Sequence, residues 1–215
     1  EAWALNLRGH HGSRPVGNLG AVSVHDYVRD VHDCLAALGE VVLVGHSMGG
    51  LIAQKVAETG RVRAAVFLAS AAPRGIVVLR WPVLSRMVRH LGPIFFNRPL
   101  VPNRANADAL ILNMLSPARR QWAFDQFVPE SGRAARELAF GGVSVDPRQL
   151  TCPTLVVGAE RDVITPVGVQ RKIAARYRAE YLEIAGNAHM LMLENGWERP
   201  IKQILEWADR AIWTR

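Results

Sequence analysis

Five short apolar runs, at residues 2–7, 41–44, 64–69, 154–157 and 181–184, recur along the chain, and most are followed by Gly or Ser. Runs this short and this apolar suit strands buried on both faces, because a strand covered on one face only would alternate. Helical patterns lie between them. Ser23, with Asp26 three residues on, forms a capping-box start. Val24, Tyr27, Val28, Val31, Leu35 and Leu38 then mark one face until Gly39 stops the helix. Residues 48–58 read as a second helix ending near Gly60, and 172–176 belong to a third. Trp197, Ile201, Ile204, Leu205, Ala208 and Ile212 stripe a fourth. Alternating strand and helix predicts an α/β fold, a mostly parallel sheet flanked by helices.

Residues 73–148 break this rhythm. The segment is richer in Pro, Asn and Arg, and Val83, Leu84, Met87, Val88 and Leu91 fall on one helical side with Ser85, Arg86, Arg89 and His90 on the other. It reads as a helical cap inserted into a core made of residues 1–72 and 149–215. The cap also holds most of the net charge of +7, with eleven Arg against five acids. Basic residues are almost all Arg, Lys appearing only at 55, 172 and 202, and no nucleic-acid motif accompanies them, so nucleic acid is not an expected partner. The apolar stripe with Phe95 and Phe96 suits a cap helix packed on the core. The other readings are the wall of an apolar pocket and a lipid interface with Arg86 and Arg89 facing anionic headgroups. No run of 18 apolar residues and no leader pattern appears, and Cys34 and Cys152 read as buried free thiols rather than a disulfide framework. The expected compartment is the cytoplasm, on a stretch whose first residue, Glu1, is not a start methionine.

The run at 41–44 goes straight into Gly45-His46-Ser47-Met48-Gly49 and then a helical pattern. A strand, G-x-S-x-G and a helix together make a sharp turn that lifts the serine above the sheet end, with glycines expected to relieve crowding at 45 and 49. A serine hydroxyl is a poor nucleophile at neutral pH and needs a base oriented by a third group. Downstream, "TLVVGAERDVITP" places Asp162 in the loop after one strand and "YLEIAGNAHMLMLE" places His189 after another. Asp162 is the expected acid and His189 the expected base. Glu160 is the rival acid but sits closer to the strand end. His25 and His32, beside Asp26 and Asp33, read as a solvated helix face rather than a metal site, and no phosphate-cradling Gly loop is present.

"GHSMGG", "LVVGAERDVITP" and "AGNAHMLMLE" resemble the nucleophile, acid and histidine segments of the α/β-hydrolase fold superfamily, and "NLRGHHGS" resembles its "RGHG.S" loop. The extra histidine in that loop and Ala188 before His189 are small departures. The resemblance implies a serine hydrolase of carboxylic esters of small to medium acyl chain, esterase- or lipase-like, working without a cofactor. A carbon–carbon bond hydrolase, a perhydrolase or a non-catalytic ligand-binding relative shares the same frame, whereas dehalogenase and epoxide hydrolase relatives carry Asp where this chain has Ser47. It also implies the Met48 N–H as an oxyanion donor, and His46, Phe95, Phe96, Trp122 and Met190 are the expected pocket residues, with Phe124 and Phe127 as further candidates. The family's sheet begins with strands ahead of the "RGHG.S" loop, one of them lying between the strands at 2–7 and 41–44 and leading into the loop that gives the second oxyanion donor. The 215 residues therefore read as a piece of a longer protein, with weak or no activity alone.

Overall fold

The computed structural model describes residues 1–77, 85–86 and 88–213. The core runs α1 (Val24–Leu38), β1 (Val42–His46), α2 (Met48–Ala57) and β2 (Ala64–Leu68). Between β2 and the next core strand lie α3 (Leu91–Phe95), β3 (Pro99–Leu100), a wide π-helical turn at Ala107–Ile111, α4 (Pro117–Asp125), β4 (Glu130–Ser131) and α5 (Gly132–Ala139). The core resumes with β5 (Thr154–Ala159), α6 (Val167–Tyr177), β6 (Glu180–Ile184) and α7 (Glu198–Trp213). Strands β1, β2, β5 and β6 form one parallel sheet in the order β1-β2-β5-β6, and β3 and β4 pair antiparallel.

Side chains of β2 alternate between two apolar layers. Ala65 and Phe67 join one core with α1, α2 and α6, while Ala64, Val66 and Leu68 join the other with α7. Helix α1 starts as its sequence implies: Ser23 accepts from the Asp26 N–H and the Asp26 carboxylate accepts from the Ser23 N–H, so two otherwise unpaired donors are satisfied. Its buried face is Val24, Tyr27, Val28, Val31 and Leu35.

Several expectations need correction. Residues 2–7 form no strand. β1 is the sheet edge, so no ladder partner stands beside them, Trp3 and Leu5 are exposed, and Val44 of β1 is itself 53% exposed. On α7 the packed face is Ile201, Ile204, Trp207, Ala208 and Ala211, and Leu205 faces outward because it sits about 100° round from Ile204. Val83, Leu84 and Met87 of the expected cap stripe lie outside the described residues, while Val88 and Leu91 are exposed. Cys34 and Cys152 are free but only partly buried. No helix among the described residues is long and apolar enough to cross a membrane.

A buried polar network joins the two halves of the sheet. The backbone of Ser70, just past β2, is held at both ends by Gln170 of α6: Ser70 N–H donates to Oε1 (3.1 Å) and Nε2 donates to Ser70 O (2.8 Å). Gln54 of α2 donates to Ser70 Oγ (2.7 Å) and accepts from the Tyr177 hydroxyl (2.8 Å). Replacing Gln170 by Leu leaves the Ser70 N–H and C=O without these partners in a dry site, which costs roughly 1–3 kcal/mol per group. Urea denaturation of Gln170→Leu should show a midpoint lowered accordingly, and an unchanged midpoint would mean the network contributes no stability.

Candidate active site

Because the core strands are parallel, their C-terminal ends share one edge of the sheet, and the loops leaving β1, β5 and β6 meet there. The turn after β1 is tight enough to force Ser47 to φ 53°, ψ −119°, a backbone conformation that non-glycine residues rarely adopt. Hydrogen bonds on both sides hold it: Ser47 N–H donates to Leu68 O (3.0 Å), and Ser47 O accepts from Ala71 N–H (2.8 Å) and Gly50 N–H (3.0 Å). A Cβ at Gly45 would overlap the carbonyl of Gly49, and one at Gly50 would overlap the Ser70 side chain. The glycines demanded by close packing are thus 45 and 50. Gly49 itself faces open space, and only its carbonyl takes part in the crowding.

Ser47 Oγ stands 3.0 Å from His189 Nε2, and His189 Nδ1 stands 2.8 Å from Asp162 Oδ2. A carboxylate only accepts, so Nδ1 carries the proton facing Asp162 and Nε2 offers its lone pair to the serine hydroxyl. Asp162 is 4% exposed. Burial raises its carboxyl, but the bonds from His189 and from the Thr165 N–H and hydroxyl outweigh burial and hold it below the ordinary aspartate value. Oδ1 accepts from the Ile164 and Thr165 N–H groups (2.8 and 2.9 Å). The Thr165 hydroxyl lies between Asp162 Oδ2 (2.8 Å) and Ala69 O (2.9 Å), with one proton for both. Glu160 instead accepts the Gly186 N–H (2.7 Å), clasping the loop after β6.

His46 sits beside His189, ring centroids 4.9 Å apart, with its Nε2 2.8 Å from His189 O. Burial, and then the neighbouring His189, push His46 down to about 3, so it is neutral at physiological pH with its one proton on Nε2, donated to that carbonyl. The histidine loop has a second anchor that the sequence reading missed. Buried Glu194 accepts from the Ala188 N–H (2.7 Å) and the Asn187 amide (3.1 Å) through Oε2. Glu194 closes the quoted "AGNAHMLMLE" segment, but nothing in the sequence assigned it a role of its own, because its reach back over six residues to Ala188 is set by the turn between them.

A cleft of about 340 Å3 opens over Ser47 and His189, lined also by His46, Met190, His10, Pro102, Ile111, Gln126, Phe127, Val128 and Glu130. Of the expected pocket residues, His46 and Met190 lie on it. Phe95, Phe96 and Trp122 do not: they are 55%, 74% and 55% exposed, on the outward sides of α3 and α4, where Ile94 and Ala123 take the buried positions. Phe124 packs in a small cluster with Ala107, Leu112, Leu115 and Ala123, while Phe127 reaches the cleft. His10 and Glu130 form its polar end, Nε2 to Oε2 3.3 Å apart. The paired groups of Arg8 and Asp30 (2.6–3.0 Å) anchor the His10 loop to α1, and Tyr27 donates to Glu130 Oε1 (2.6 Å). Met48 opens α2, so its N–H has no acceptor within the helix.

The sequence model of the alpha/beta hydrolase family matches residues 1–206. The chain belongs to that family. No curated protein matches the sequence. Among solved structures, a thermophilic esterase from Thermogutta terrifontis is similar at TM-score 0.71 and 21% identity, over 96% of this chain and 78% of that one. A methylesterase from Arabidopsis matches at TM-score 0.71 and 14% identity, over 95% and 85%. A monoacylglycerol lipase from Paleococcus ferrophilus matches at TM-score 0.64 and 21% identity, over 87% and 76%. At such identities the likeness concerns the fold.

His46→Leu keeps the bulk of the ring but strands the His189 carbonyl. It should cost roughly 1–3 kcal/mol of stability and move the Nδ1–H resonance of His189 in proton NMR. An unmoved resonance would show that His46 does not position the ring.

Proposed function

We propose that the chain is a serine hydrolase of carboxylic esters with small to medium acyl chains. One observation carries this reading: Ser47 Oγ, on a turn that lifts it clear of the sheet, lies 3.0 Å from an imidazole nitrogen whose opposite nitrogen donates to a buried carboxylate. The names of the similar structures, an esterase, a methylesterase and a monoacylglycerol lipase, support an ester as substrate.

In this reading Ser47 Oγ attacks the ester carbonyl carbon as its proton passes to His189 Nε2. Asp162 stabilises the imidazolium and keeps the ring from rotating. The Met48 N–H faces the developing oxyanion, where a preformed donor contributes most because it needs no reorganisation during the reaction. The tetrahedral adduct then expels the alcohol, whose oxygen takes the proton from Nε2, and leaves an acyl group on Ser47. A water, deprotonated by the same nitrogen, attacks that acyl group and releases the acid. Pro102, Ile111, Phe127, Val128 and Met190 offer an apolar wall for the acyl chain, and a space of about 340 Å3 suits a short or medium one. No step calls for a cofactor.

A fluorophosphonate probe should label Ser47, and Ser47→Ala should lose both labelling and turnover of p-nitrophenyl esters. A wild-type chain that folds and binds esters but never labels would overturn the reading in favour of a ligand-binding role. Asp162→Asn, which permits the wrong imidazole tautomer, should lower kcat by about 10⁴, as in serine proteases. Within the cleft, Ile111→Trp should raise KM for butyrate esters more than for acetate esters, whereas Trp122→Ala should leave both unchanged. Equal effects from the two variants would place the acyl site elsewhere.

A further inference from the structure

The Arg excess of the 73–148 segment is unevenly spent. Each of its five carboxylates is engaged: Asp108 with Arg104, Asp125 with the Gln121 amide, Glu130 with Tyr27 and His10, Glu137 with Arg133, and Asp146 with Arg148. Among the described residues Arg136 meets carbonyls and no carboxylate, at Ile94 O and Phe95 O (3.3 Å each). Arg98 has no carboxylate partner among the described residues; its guanidinium stands over the Phe96 ring, 5.9 Å from the centroid.

These two arginines flank a group of aromatic rings that the fold leaves in water. On α3 Ile94 turns inward, 1% exposed, so Phe95 and Phe96 turn outward, and the Phe140 ring at the end of α5 lies 6.1 Å from that of Phe95. Phe140 is as exposed as Phe95. Rings held in solvent are costly for a chain with nothing to put on them, since each leaves a large apolar area in water. The backbone beneath is well fixed: Gly132 of α5 packs so closely on the carbonyls of Pro93 and Arg98 that a Cβ there would overlap both, and Gly20 packs likewise on Asn97 and Arg98. The rings are thus displayed from a rigid platform.

We infer that this face, Phe95, Phe96 and Phe140 with Arg98 and Arg136, docks on an anionic lipid surface. The charge decides the partner. Rings inserting at the headgroup level supply apolar burial, and guanidinium groups without carboxylates of their own find phosphate. A second copy of this chain would instead have to bring the same basic, acid-poor patch against itself. The inference is independent of the chemistry assigned to Ser47, because it concerns residues that line no part of the cleft.

The test is co-sedimentation with phosphatidylcholine vesicles, with and without about one-third phosphatidylglycerol. The protein should pellet with the anionic vesicles and stay in solution with the neutral ones. Binding should fade between about 0.1 M and 1 M salt, as the screening length falls from about 10 Å to about 3 Å. Arg98→Ala should weaken binding about fivefold, matching the roughly 1 kcal/mol of one cation near such a surface, and Phe96→Ser should weaken it at least as much. Both positions are exposed, so thermal melts should match wild type. Tryptophan placed by Phe96→Trp should shift its emission to the blue on anionic vesicles. Equal binding to neutral vesicles, no binding to either, or full binding by the Phe96→Ser, Arg98→Ala double variant would overturn the inference. So would a dimer in sedimentation velocity that Phe96→Ser dissociates.

Discussion

The backbone of Ser47 is the constraint on which the rest of the site depends. Holding a non-glycine residue at φ 53° costs of order 1–3 kcal/mol, and it persists only where the surroundings over-determine it. Here they do: its N–H is taken by Leu68 O and its carbonyl by Ala71 and Gly50, while Gly45 and Gly50 let strand, turn and helix approach to backbone distance. With that geometry the side chain leaves the sheet along the direction in which the loops after β5 and β6 converge.

The two converging loops are fixed by groups buried around them rather than by Ser47, Asp162 and His189 alone. Asp162 is turned by the N–H groups of Ile164 and Thr165, and the histidine loop is pulled in by Glu194 and by the His46 imidazole. Gln170 ties the end of β2 to α6, whose first turn follows directly from the Asp162 loop. Asp162, Glu194 and Gln170 are buried, so a lost partner there costs about as much as a typical mutation removes from a protein. Preorganisation at Ser47 and stability of the core are in this sense one property.

Much of this was legible in the residues. Apolar runs at 41–44, 64–69, 154–157 and 181–184 became β1, β2, β5 and β6 within two residues, and Ser23 with Asp26 marked the start of α1, because burial on both faces and end-capping are local properties. Ser47, Asp162 and His189 could be named before any coordinates because each follows a strand in a recognisable turn. Failures came where the outcome rests on partners remote in sequence. Residues 2–7 have strand-like composition yet join no strand ladder, and Leu205 shares the apolar character of Ile204 but not its direction. Phe95, Phe96 and Trp122 were expected in the pocket from helical pattern and from the resemblance, and neither says which neighbours a ring will meet.

By itself, then, the sequence determined the class of fold and the chemical types placed after each strand, since hydrophobic period, glycine and capping residues act over a few neighbours. It took the packing of distant segments to bring Ser47, Asp162 and His189 within hydrogen-bonding reach, to close one end of the cleft with His10 and Glu130, and to leave three phenylalanines in water. Those outcomes depend on contacts between residues up to 142 positions apart. Such contacts form when sheet order and helix packing bring the segments together, and no local pattern encodes them.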